Sequence, residues 1–193
     1  MNRYELEHII RSAGNIANVK SLIILGSQSV LGQFPNIAEF LPESDHSKIS
    51  FISQKRHILC RSVEADIMIP ESEDKADLID AVIGELSSFH DTFGYYAQGV
   101  DHTTSKLPDG WKNRLIEICN SNTNGISGLC LEIHDLIISK LYAAREKDIE
   151  FFHAAIFLRL ISKNVLLERL NKTQISEEKR KNIELYIEKG FSQ

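Results

Sequence analysis

The sequence predicts an α/β (α+β) fold: a mixed sheet flanked by helices, with a C-terminal helical bundle. Three observations predict it. Five short apolar runs of strand length lie between residues 22 and 132. Helical segments interrupt them in the order helix, strand, helix, strand, helix, then three strands, which is not a run of regular βαβ units. From Ile133 onward the pattern is helical to the end. The 193 residues suit one full domain or a small domain with a helical appendage, and a hydrophobic share of 42% is enough for a core. The division falls between a sheet domain, 1–132, and a helical region, 133–193.

Residues 2–13 read as a helix with Tyr4, Ile9 and Ile10 as packing residues, ended by Gly14 and Asn15. Leu22–Leu25 is a short continuous apolar run, as in a central strand. Ser29–Gly32 opens a short helix that Pro35 ends. Residues 36–58 show no clean period and carry Pro42, Ser44, Asp45, His46 and Ser47, so they read as a loop-rich excursion. The segment from about Ile37 to Cys60 is either a lid over the neighbouring motifs or an incidental insertion. Val63–Ile69 is the second strand, stopped by Pro70. Glu73–Ser88 is a helix with an apolar stripe of Ala76, Ile79, Ile83 and Leu86. Tyr95–Val100 is a strand, 101–110 a loop with Pro108 and Gly110, and Leu115–Cys119 a fourth strand. Turn-rich Asn120–Gly125 leads to a fifth strand, Gly128–Glu132. The helical region breaks near Ser162 and Asn171.

Three cysteines, Cys60, Cys119 and Cys130, form an odd set without C-x-x-C spacing, which argues against a disulfide framework or a zinc site and for a reducing cytoplasm. No apolar run approaches the roughly 20 residues that span a membrane, and the first residues, Met1-Asn2-Arg3-Tyr4-Glu5, carry no signal segment. Residues 1–139 hold 11 Lys/Arg and 19 Asp/Glu, a net of −8; residues 140–193 hold 11 and 8, a net of +3. A nucleic-acid partner would lean on the C-terminal part; the plainer reading is a solvated helical face.

Two motifs place polar chemistry at strand ends. In Ile23-Ile24-Leu25-Gly26-Ser27-Gln28-Ser29, a Gly-Ser turn leaves a buried strand and can hold a phosphate on backbone N–H groups and a hydroxyl. In Val63-Glu64-Ala65-Asp66-Ile67-Met68-Ile69, two carboxylates at i and i+2 point to one face and can share a hard divalent cation. Each has a bland alternative: glycine serves wherever a strand turns sharply, and alternating acids are often a solvated face. The acids here start a strand that reads as apolar on both faces, and acids in that position need partners. A phosphate cradle plus an acid pair is the minimum kit for phosphoryl or nucleotidyl transfer.

The stripe Ile133, Leu136, Ile137, Leu141, Ala144 passes through position 140, so Lys140 sits on or beside a buried face, snorkelling or meeting an anion. Arg145 and Lys147 read as surface charges, and Asp148 as a partner for either of them or for Lys140. Glu117 is a candidate third carboxylate, and Asp135 a helix cap. His90, His102, His134 and His153 show no metal-ligand spacing and read as structural or exposed.

Together these elements resemble a nucleotidyltransferase family. The likeness runs from about Leu22 to about Leu158. It is strongest at Glu64-Ala65-Asp66, at Phe89-His90-Asp91-Thr92-Phe93-Gly94-Tyr95-Tyr96-Ala97-Gln98-Gly99-Val100, at Leu107-Pro108-Asp109-Gly110-Trp111, and from His134-Asp135-Leu136 through Arg145-Glu146-Lys147-Asp148. The chain resembles the bacterial DUF6036 nucleotidyltransferases, similar in turn to the AbiEii-type toxins of toxin–antitoxin and phage-defence systems. The resemblance implies a nucleotidyltransferase-like sheet. It implies that Gly26 and Ser27, with Ser29 nearby, hold the triphosphate of a nucleoside triphosphate, and that Glu64 and Asp66 bind Mg²⁺. Lys140 would contact phosphate or steady the acids, and Asp148 would match the family's later aspartate. The implied activity is Mg²⁺-dependent transfer of a nucleoside monophosphate to a tRNA end or a protein hydroxyl, as a toxin with an antitoxin partner. The alternative is a catalytically degenerate module of the same fold that binds nucleotide or partner. The chain departs from the usual pattern in carrying Glu at the first acid position and in separating Gly26 from Glu64 by 38 positions.

Overall fold

The computed structural model describes residues 1–37, 46–70 and 74–192, the side chains of 46–52 excepted. A five-stranded mixed sheet runs in the order β3-β2-β1-β5-β4, formed by β1 (Ser21–Ile24), β2 (Glu64–Met68), β3 (Tyr96–Gly99), β4 (Ile116–Ile118) and β5 (Ser127–Cys130). Each strand lies where an apolar run predicts it. Leu22, Ile23 and Ile24 are all buried, as a central strand covered on both faces requires.

The pairing of β1 with its neighbours positions the site. It runs parallel to β5 but antiparallel to β2, with Ile24 opposite Ile67 and Ile23 opposite Met68. The outgoing end of β1 therefore lies beside the incoming end of β2, and the Leu25 N–H donates to the carbonyl of Asp66 at 3.0 Å. The chain between Gly26 and Glu64 is long, but the antiparallel pairing closes it. Parallel β3 then sets Tyr96 beside Glu64 and Gln98 beside Asp66.

Helix α1 (Arg3–Ile16) starts at Asn2 in a capping box with Glu5 and buries Leu6, Ile9, Ile10 and Ala13. It runs past the expected break at Gly14, which is a packing residue: a Cβ there would meet Ile126 Cγ2 at 2.6 Å. Tyr4, expected to pack, is 75% exposed. After a 3-10 turn at Ser27–Ser29 comes the short α2 (Val30–Gln33).

The expected loop between 36 and 58 is largely a helix, α3 (His46–Cys60). Its apolar residues form no single stripe, so periodicity does not reveal it. It holds no Gly or Pro to break it, and it packs on α7 (Glu146–Phe157) and on the 3-10 turn. The part of that expectation at 38–45 lies outside the described residues. The helix expected over Glu73–Ser88 is α4 (Asp74–Ile83); its expected start at Glu73 also lies outside them. It stops before Leu86, which takes a left-handed φ of 62° and is 84% exposed rather than part of the stripe. Ser87 then caps a separate short helix, α5 (Ser88–Phe93).

The C-terminal region comprises α6 (Ile133–Ala143), α7, α8 (Lys163–Asn171) and α9 (Glu177–Phe191). The breaks near Ser162 and Asn171 are present. An additional one falls at Ala144, left-handed at φ 52°, whose N–H closes α6 on the Lys140 carbonyl. Buried residues of the sheet, such as Leu22 and Ile67, share one apolar cluster with Ile137 of α6 and Phe152 of α7. Among the described residues no helix is long and apolar enough to cross a membrane.

Candidate active site

The two motifs meet at van der Waals distance. A Cβ built on Gly26 would lie 1.6 Å from Asp66 Oδ2, so the Asp66 carboxylate occupies the space that any other residue at 26 would need. Glycine stands at the end of β1 because an acid presses on it. Its φ of −88° makes no demand for glycine; the close approach does.

Asp66 and Glu64 share one face of β2, both partly buried. Burial, then a hydrogen bond to Glu64 and that group's charge, push the Asp66 carboxyl up to about 7, with Lys140 and Lys147 opposing. The Glu64 charge thus adds to the cost of ionising Asp66. The Tyr96 hydroxyl donates to Glu64 Oε2 at 3.1 Å. Burial and the Glu64 charge push that phenol to about 12, so it remains a donor at ordinary pH.

Lys140 approaches from α6. It is 8% exposed, donates to Ser27 Oγ at 2.8 Å and to Asp148 Oδ1 at 3.1 Å, and lies 4.5 Å from the centre of the Phe151 ring. Burial lowers its pKa; Asp148 works against that. Asp148 also accepts from Arg145 Nε at 2.7 Å. Burial disfavours its charge, but Arg145 and Lys140 outweigh this and hold the carboxyl below its usual range.

A cavity of about 730 Å³ opens over Gly26, Ser27, Glu64, Asp66 and Lys140. The structure thus brings together five of the residues singled out from sequence. It does not bring in Ser29, whose fully buried hydroxyl donates to the Ile24 carbonyl at 2.6 Å and ties the turn to its own strand. Asp148 is fully buried outside the cavity wall and acts on the site through Lys140. Glu117 sits on β4 at the far edge of the sheet, three strands from β2, where it accepts from Ser127. Asp135 is no cap: Glu132 caps α6, while Asp135 is fully buried and accepts from Arg114 Nε at 2.8 Å and Nη2 at 3.1 Å, with Arg169 Nε 3.2 Å away.

Arg145 and Lys147, read from sequence as surface charges, line the cavity, as do Arg61, Gln98 and Asp101. No local pattern marks Arg61 or Asp101. Gln98 and Tyr96 were findable from spacing, since their i, i+2 step on β3 repeats that of Glu64 and Asp66 on β2. The basic C-terminal residues do not form one bare face. Lys163 pairs with Glu188, Arg169 with Asp135, and Lys172 with Glu168, while Arg180 donates to the carbonyls of Leu170 and Thr173.

The donors at Glu64 and Asp66 are all oxygen, and their crowded negative charge suits a hard divalent cation. No cluster of three or more His, Cys, Asp or Glu able to hold a metal exists among the described residues. Two carboxylates with remaining positions left to water and phosphate is the usual provision for Mg²⁺ rather than Ca²⁺ or Zn²⁺.

No curated protein and no solved structure matches this chain. A family described as a nucleotidyltransferase of unknown function, DUF6036, matches residues 5–189, nearly the whole chain. A Gly-Ser turn, an acid pair and a buried lysine around one cavity are consistent with that description, and the chain belongs to the DUF6036 nucleotidyltransferase family.

Proposed function

We propose that the protein transfers a nucleoside monophosphate from a nucleoside triphosphate to a hydroxyl acceptor with the help of Mg²⁺. The contact between Gly26 and Asp66 carries this reading, because it joins the candidate phosphate turn to the candidate metal acids without intervening side chains. Glu64 and Asp66 would hold the cation. When bound, Mg²⁺ supplies charge neutralisation on the phosphate oxygens. The 3-10 turn opening at Ser27 has leading N–H groups without partners inside the turn, suited to phosphate oxygens. Lys140, already on the Ser27 hydroxyl, places a positive charge where negative charge builds on the leaving phosphates. The acceptor oxygen forms a bond to the α-phosphorus, the α–β bridging bond breaks, and pyrophosphate leaves. Glu64 or Asp66 takes the hydroxyl proton.

The acceptor is a tRNA end or a protein hydroxyl. Arg61, Arg145 and Lys147 on the cavity wall favour a polyanion, hence RNA. The role as a toxin held by an antitoxin rests on the resemblance to AbiEii-type proteins alone, and growth arrest on expression of the wild type but not of Asp66→Asn tests it. The activity test is incubation with each labelled nucleoside triphosphate, Mg²⁺ and total cellular RNA. Label in RNA or protein that disappears with Asp66→Asn is the expected result; no label with any nucleotide overturns the proposal. One observation favours a second reading, a degenerate binding module: Glu64 stands where such enzymes usually carry Asp. Nucleotide binding without turnover would establish it.

A further inference from the structure

We propose that Tyr96 is a positioning residue that fixes the Glu64 side chain for cation binding, compensating for the extra methylene of glutamate. The proposal rests on the reading of Glu64 and Asp66 as the metal acids. Register sets the pair up: β2 and β3 run parallel with Glu64 directly beside Tyr96, so both side chains leave the same face of neighbouring strands. The phenol reaches Glu64 Oε2 at 3.1 Å. Glu64 leaves the same face of β2 as Asp66, two residues on, and Asp66 is packed on the Gly26 backbone. Tyr96, the two acids and the turn therefore lie in sequence along one face of the sheet.

The anchor is itself held. The His90 ring packs on the Tyr96 ring with centroids 4.6 Å apart. His90 is fixed from two sides: its backbone N–H donates to the Ser87 hydroxyl at 3.1 Å, and its Nδ1 accepts from the Leu86 N–H at 3.2 Å. The left-handed turn at Leu86 and the separate helix α5 thereby serve the acid pair.

A free glutamate has one more rotatable bond than aspartate and loses more freedom when a small cation fixes it. A hydroxyl that already fixes one carboxylate oxygen removes much of that loss, leaving the other oxygen to the cation. Partners behind a metal ligand typically change metal affinity by about 10- to 100-fold when removed. Aspartate at position 64 ends too short to use this hydroxyl, so the benefit of Tyr96 is specific to glutamate.

The test is a double-mutant cycle read by Mn²⁺ affinity, measured by electron paramagnetic resonance without nucleotide, for the wild type, Tyr96→Phe, Glu64→Asp and the double variant. Phenylalanine keeps the ring against His90, and melting midpoints check the fold. The expected result is a dissociation constant about 10-fold weaker for Tyr96→Phe with Glu64 present, and a change under about 2-fold from the same substitution on Glu64→Asp. An equal effect in both backgrounds, whether zero or a common loss, overturns the positioning role and leaves the proposed function standing. Absence of Mn²⁺ binding by the wild type overturns both.

Discussion

Burial pushes up the carboxyls of two aspartates, Asp66 and Asp135, yet their surroundings are opposite. Asp66 faces the carboxylate of Glu64 at the end of β2. Asp135 is held by Arg114 through two hydrogen bonds and by Arg169 beside it. One region concentrates negative charge and the other cancels it. Concentrated like charge works against the fold and strengthens the hold on a cation. Cancelled charge fastens elements together, here the turn before β4 and helix α8 to the first turn of α6. The same residue type thus points to chemistry in one place and to architecture in the other, and the neighbours decide which.

Exchanging each acid for its amide separates the two. Asp66→Asn should reduce nucleotide transfer by about 10³-fold or more while the melting temperature holds or rises, because like-charge crowding is relieved. Retained transfer, followed with labelled nucleotide, would break the comparison on the chemical side. Asp135→Asn should lower the free energy of unfolding by about 3–5 kcal/mol, measured in urea, because two guanidiniums lose their anion; a loss under about 1 kcal/mol would break it on the architectural side.

Lys140→Ala lies between the extremes. Transfer should fall by about 10²-fold, with a smaller loss of stability since Asp148 keeps Arg145. Kinetics and urea unfolding of one variant decide whether Lys140 belongs to the chemistry. The remaining effect is on pH dependence. The folded-state pKa of Asp66, about 7, lies above the ordinary 3.8, so the folded protein keeps a proton that the unfolded chain releases. Its contribution to stability is full below about pH 4 and is lost as pH rises to 7, at no more than about 1.4 kcal/mol per pH unit. Without divalent cations, the wild type should lose stability relative to Asp66→Asn across that window in urea titrations at stepped pH. Parallel curves would show that the acids are not crowded.

The strands were legible because full burial writes continuous apolar runs. Gly26, Ser27, Glu64, Asp66 and Lys140 were legible because polar groups interrupt those runs at their ends or on a buried stripe. Their meeting was not, since it depends on β1 and β2 running antiparallel, which no local pattern states. Helix α3 was hidden by apolar residues without a stripe. Ser29 misled because the winding of the 3-10 turn sends its hydroxyl back to Ile24, while Ser27, two residues earlier, faces the cavity. Asp135 misled because a first-turn aspartate looks the same from sequence whether it caps a helix or binds distant arginines.

The left-handed residue Ala144 makes the interval between Lys140 and Asp148 a ruler. In an unbroken helix eight residues advance about 12 Å, too far for the 3.1 Å contact observed. The reversal at Ala144 folds that length back on itself. Inserting one residue between the two would swing Asp148 by about 100° around α7 and detach it from the ammonium, with every side chain retained. A library of insertions and deletions would find this stretch as intolerant as the acids themselves, because here the number of residues is the information rather than their identity.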